Sequence, residues 1–157
     1  MKTLAGIVLL LLVAAATLPA QPYAVGGRGG ISVFSSGGSS SGLQLGPTFD
    51  ATIAPNMLLG TELTLNTQGG TPIEWGNTFK YLLQLPRSDV RPYIDGGFNL
   101  WFVTGGPYFG LQFGGGVWFP ISNNLVVPAD IQMGPVFTSG SSTFYFAMTS
   151  GIRYTLP

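Results

Sequence analysis

Apart from its tyrosines, the titratable chemistry of this 157-residue chain comes from six acidic and six basic residues, with no histidine and no cysteine. That inventory excludes Ser-His-Asp and Cys-His catalysis, thiolate redox chemistry, disulfides and the usual zinc sites, each of which needs a missing residue type. One catalytic constellation is left, a pair of carboxylates. Asp50 and Glu62 lie at matched distances from a turn centred on Asn56, and paired acids can divide acid and base roles. Arg28 and Lys80 on the flanking segments suit neutralisation of these acids better than capture of a substrate. The run Gly26-Gly27-Arg28-Gly29-Gly30 opens an extended segment, whereas a phosphate cradle opens a helix. Formal neutrality removes the clustered basic charge that nucleic-acid binding uses. No metal site, no cofactor and no catalytic residue is expected.

The elements that must place these charges are poor in charge themselves. Charged residues make up 8% of the chain, against about 25% in an ordinary soluble domain. Lys2, the apolar run from Leu4 to Ala16 and Leu18-Pro19-Ala20 before Gln21 predict a signal peptide over 1–20, cleaved on export. The apolar run is too short for a spanning helix, which needs about 18–20 residues. Residues 21–157 then form one domain with five basic and six acidic groups.

Beyond Gln21 no segment of helical length keeps a 3.6-residue apolar period, and Gly or Pro interrupts nearly every window. Period two appears instead. Seven clusters of turn formers, among them the Ser- and Gly-rich run 35–42, Pro55-Asn56, Pro86-Arg87-Ser88-Asp89 and Ser122-Asn123-Asn124, delimit eight strands. They are expected near 22–34, 43–54, 57–66, 73–85, 90–103, 108–121, 125–138 and 143–156. An even number of long strands in successive hairpins predicts an all-β fold, an eight-stranded antiparallel up-and-down transmembrane β-barrel.

Parity carries the charges. In the fifth strand Arg91, Tyr93, Asp95, Gly97 and Asn99 share one face, and Ile94, Phe98, Leu100 and Phe102 share the other. The fourth strand repeats the division, with Glu74 and Lys80 opposed to Trp75, Phe79 and Tyr81. The same parity collects Arg28, Asp50, Glu62, Asp130 and Arg153, while Arg87 and Asp89 fall in a turn. A soluble lipocalin-like carrier hides the apolar face, and a membrane barrel shows it to lipid. About one charge per strand among many Gly, Ser and Thr suits an interior. Tyr23, Trp75, Phe102, Phe109, Phe119 and Tyr154 gather near strand ends, where an interfacial girdle sits.

These residues resemble the small outer-membrane β-barrels related to the transmembrane domains of outer membrane proteins A, X and W. The resemblance spans about residues 22–157. It is carried by Arg91-Pro92-Tyr93-Ile94-Asp95-Gly96-Gly97-Phe98, by the segment from Gln112 to Leu125 that includes Gly114-Gly115-Gly116-Val117-Trp118-Phe119-Pro120, and by Gly151-Ile152-Arg153-Tyr154. It implies insertion in the outer membrane of a didermic bacterium, with both termini and the tight turns periplasmic; a monomer with outer-membrane lipid and the assembly machinery as partners is expected. The chain departs from the pattern in closing on Leu156-Pro157, where such barrels close on an aromatic that the machinery reads. No peptidoglycan-binding domain follows, so an anchoring role is not expected.

Hairpin arithmetic then pairs the charges. A first turn centred near position 39 opposes Arg28 to Asp50, and a turn between 87 and 88 opposes Lys80 to Asp95, with Glu62 approaching from the other side. Arg153 falls close to Asp130. Ionised groups in a narrow interior need partners, so a lumen plugged by these pairs is expected, in a non-enzymatic protein with a structural, envelope-stabilising role. Luminal glycines such as Gly26, Gly30, Gly46, Gly60, Gly114, Gly116 and Gly134 keep a narrow pore for small solutes open as an alternative.

Overall fold

A computed structural model describes residues 22–35, 38–68, 72–103, 106–138 and 140–157. The expected signal peptide, 1–20, lies outside the described residues. Eight strands follow in chain order: β1 Tyr23–Ser35, β2 Ser39–Ala54, β3 Met57–Asn66, β4 Ile73–Leu82, β5 Arg91–Val103, β6 Gly106–Pro120, β7 Leu125–Thr138 and β8 Ser141–Thr155. Each pairs antiparallel with the next, and β8 closes on β1, so the sheet has no free edge. Closure satisfies the backbone hydrogen bonds that an open edge would leave unmade, a condition hydrocarbon imposes on any spanning sheet.

The register fixes the girth and slant of the barrel. Matched residues step from Ala24 through Asp50, Gly60, Thr78, Gly97 and Gln112 to Gly134, then through Tyr145 back to β1 at Phe34, ten residues further on. This stagger tilts the strands by about 35–45° and leaves an interior just wide enough for side chains.

Alternation divides every strand into an outer and an inner set. The outer set is apolar: Leu45 is 68% exposed, Ile94 58% and Ile152 58%. Phe49, Leu63, Phe98, Phe113, Ile131 and Met148 extend the band around the wall. Monomeric proteins in water rarely expose patches beyond a few hundred Å², and a girdle of this kind suits hydrocarbon. The lipocalin-like alternative required the apolar parity inside, and these exposures overturn it.

Two strand boundaries differ from expectation by more than two residues. Residues 39–42, read as turn from their Ser and Gly content, continue β2 and pair with β1, Ser39 opposite Ser35, in a register other than the expected one. At the other end β4 stops at Leu82, although Leu83 N still donates to Pro92 O at 2.7 Å. Two tight turns share one design, with Pro preceding a residue of positive φ: Asn56 at 64° after Pro55, and Arg87 at 64° after Pro86. Proline presets the first central position and the second takes the left-handed conformation, as in a type II turn.

Candidate functional site

The inner set of residues makes three layers along the lumen. At the end carrying the termini, Leu58, Leu82, Tyr93 and Trp118 pack together with Val126 against them. Towards the opposite mouth, Trp101, Val136, Tyr145 and Ala147 pack with Phe34 and Tyr108. Between the two lie the buried charges.

Arg28 Nη2 donates to Glu62 Oε1 at 2.6 Å and to Gln132 Oε1 at 2.8 Å, joining β1 to β3 and β7. Asp50 receives Lys80 Nζ on one oxygen at 2.8 Å and Arg153 Nε on the other at 2.9 Å, joining β2 to β4 and β8. The Arg153 guanidinium also lies over the Trp118 ring, 4.2 Å from its centroid, so cation–π attraction ties the charge layer to the aromatic layer beside it. Glu74 is fully buried and accepts from Thr64 Oγ1 at 3.0 Å and Asn99 Nδ2 at 2.9 Å. Asp130 accepts from Thr149 Oγ1 at 3.3 Å. Among the described residues Glu74, Asp95 and Asp130 make no ion pair, and neither Asp95 oxygen has a hydrogen-bond partner.

Glycines make this packing possible. A methyl group on Gly76 would sit 2.8 Å from Glu62 Oε1, and one on Gly60 would sit 2.7 Å from Asp50 Oδ1 and 3.0 Å from Lys80 Nζ. A methyl on Gly116 would meet Asp130 Oδ1 at 2.6 Å. The bare positions are therefore roofed by charged side chains lying along the wall. The charge layer holds a cavity of about 20 Å³ bordered by Arg28, Asp50, Lys80, Asp130 and Arg153, room for about one water.

The pairing of partners differs from the hairpin reading. Arg28 stands opposite Gly46, and Asp50 opposite Ala24, because β1 and β2 pair in a register other than the expected one. Lys80 and Asp95 are directly opposed, as the arithmetic has it, yet the ammonium is bound to Asp50 two strands away. Arg153 faces Val126 while Asp130 faces Thr149, so those two are two same-face positions out of step. Asp50 and Glu62 are likewise staggered, opposite Gly60 and Thr48, and each is bound by a cation. Arg91 lies on the inner parity but is exposed at the start of β5, outside the buried network.

The aromatic residues read as a girdle fall at the two ends of the outer wall. Tyr23, Phe119 and Tyr154 are near the terminal end, and Trp75, Phe102 and Phe109 near the opposite mouth. All are exposed except the half-buried Tyr23, which stacks on Phe49 at 5.7 Å. Phe109 stacks between Phe98 and Phe137 at 6.2 and 6.3 Å, and Trp75 Nε1 donates to Thr61 Oγ1 at 2.9 Å.

Sequence reading missed the inner aromatic layers. Their signal was parity: Tyr93 alternates with Asp95, Tyr145 with Thr149 and Arg153, and Trp101 with Asn99, so all belong to the charged face.

No protein-family model matches the chain, and no curated protein does. Solved structures do. Neisserial surface protein A superposes with a TM-score of 0.72 at 17% identity, over 84% of this chain and 96% of that one. The N-terminal β-barrel domain of OprF from Pseudomonas aeruginosa gives 0.63 at 10% identity, over 85% and 98%. The outer membrane protein OprG from Pseudomonas aeruginosa gives 0.58 at 13% identity, over 87% and 97%. At such identities the likeness is one of fold, and the fold is that of the small transmembrane β-barrels, eight antiparallel strands in a closed sheet.

Proposed function

We propose that the protein is a non-enzymatic barrel of the bacterial outer membrane, exported by a cleaved signal peptide, with a structural role in the envelope and a closed lumen. The observation that carries this reading is the layered interior. Two layers rich in aromatics flank a charge layer that holds a cavity of about 20 Å³, and this filling supports a closed lumen. The apolar outer wall supports lipid as the principal partner, with the assembly machinery needed only for insertion. The protein acts as a monomer and contacts no nucleic acid. Catalysis by a carboxylate pair is disfavoured because Asp50 and Glu62 are both engaged by cations and offer no open face to a substrate.

Two measurements test the proposal. Outer membranes from cells expressing the full chain are expected to contain a band whose gel mobility changes on boiling, and a soluble periplasmic product would overturn the location. In a planar bilayer the purified protein is expected to give no stepwise current. Discrete conductance steps would overturn the closed lumen and restore the narrow pore.

A further inference from the structure

Beyond Gln21, every charged side chain but three lies in the lumen, and those three, Arg87, Asp89 and Arg91, share the turn from β4 into β5 at the terminal end. All three are exposed, and among the described residues they make no ion pair. The loops of the opposite mouth, 36–38, 67–72, 104–105 and 139–140, contain no charged residue. The same turn is where the outer wall runs out. Phe79 and Tyr81 face outward near the end of β4, and Leu83 and Leu85 continue their parity with 40% and 46% exposure. Apolar side chains at that level suit the edge of the hydrocarbon, so Arg87, two residues beyond Leu85, falls in the headgroup layer.

Arg87 also occupies a strained backbone position. Its φ of 64° equals that of Asn56 in the other turn led by proline, where asparagine takes the left-handed conformation more readily. A guanidinium kept at such a position points to a task for the guanidinium itself. We propose that the turn between β4 and β5 docks the headgroup of an anionic phospholipid, with Arg87 as the contact and Arg91 adding to the local potential. A guanidinium fork matches phosphate oxygens two at a time, and each basic residue near a membrane surface adds attraction for anionic lipid. Asp89 subtracts from that attraction. A soluble acidic partner would leave Leu83 and Leu85 in water, whereas a lipid covers them with its chains. The inference rests on the reading of the outer wall as lipid-facing.

The experiment uses the mature protein folded in dodecyl maltoside, an uncharged detergent, with equal amounts of dilauroyl phosphatidylglycerol and dilauroyl phosphatidylcholine. Lipids retained through gel filtration are counted by mass spectrometry. At low salt, with one positive charge left after Asp89, phosphatidylglycerol is expected in about fivefold excess. Sodium chloride at about 1 M is expected to bring the two lipids to parity, since the screening length falls to about 3 Å. Arg87→Asn, which suits the turn, combined with Arg91→Gln is expected to give parity at low salt as well, and Asp89→Asn to widen the excess. Parity in the unaltered protein, with both lipids retained, overturns the proposal and leaves the lipid-facing wall intact. Retention of neither lipid overturns the proposal and the wall together. An excess that survives the paired arginine substitutions also overturns it, because the contact then lies elsewhere.

Discussion

Asp50 accepts from Lys80 on one oxygen and from Arg153 on the other, so losing its charge leaves two buried cations without a partner. Breaking a buried pair by removing one member costs about 3–5 kcal/mol because the remaining charge is uncompensated. Asp50→Asn is therefore expected to lower the unfolding free energy by about that much, measured by urea unfolding of the barrel in lipid vesicles. Lys80→Met leaves Asp50 still held by Arg153 and is expected to cost less, below about 3 kcal/mol. Asp95 contrasts with both, because its carboxylate is buried without a partner. Asp95→Asn removes that burden and is expected to leave the midpoint unchanged or raise it; a loss as large as that of Asp50→Asn would show that Asp95 has a partner in solution. Gly76 belongs to the same group through space rather than charge. Gly76→Ala drives a methyl group into the Glu62 carboxylate and is expected to destabilise by about 1–3 kcal/mol, through displacement of Glu62 from Arg28.

At the scale of the element, turns control which residues meet. Pro55-Asn56 and Pro86-Arg87 hold the second and fourth hairpins with a left-handed residue after proline. Asparagine tolerates that conformation well, and Arg87 pays the steric cost of its Cβ. Arg87→Asn is expected to raise stability by up to about 1 kcal/mol and Asn56→Ala to lower it by a similar amount, both read from the same urea curves. Most elements were legible in the sequence, since aromatic and β-branched alternation marked the strands and Gly, Pro and Asn marked the breaks. The start of β2 was not. Ser39-Ser40-Ser41-Gly42 has turn composition and no apolar alternation, but it is drawn into the ladder by the matching length of β1, where Ser35 pairs with Ser39. That change of register moved Arg28 from Asp50 to Gly46 and so changed the expected partner.

For the whole molecule, the division into a greasy outside and a charged inside sets the energetics. Ile131, midway along β7 on the outer wall, and Tyr154, near the end of β8, sample different depths. In vesicles Ile131→Arg is expected to cost about 2–4 kcal/mol and Tyr154→Arg about 0–1 kcal/mol, since the penalty for a lipid-facing cation falls from midplane to interface. Equal, small costs at both sites would argue that this wall does not face hydrocarbon. The fold class, the number of strands and the sorting of charges to one face follow from the sequence by itself, because a period of two is a local property of the backbone that neighbouring residues reveal. The partners of the charges were decided only by tertiary structure. Closure with a stagger of ten residues curls the sheet so tightly that long side chains reach past the adjacent strand. Lys80 thus finds Asp50 rather than the directly opposed Asp95, and Arg28 finds Glu62 and Gln132 on strands that no hairpin joins to its own.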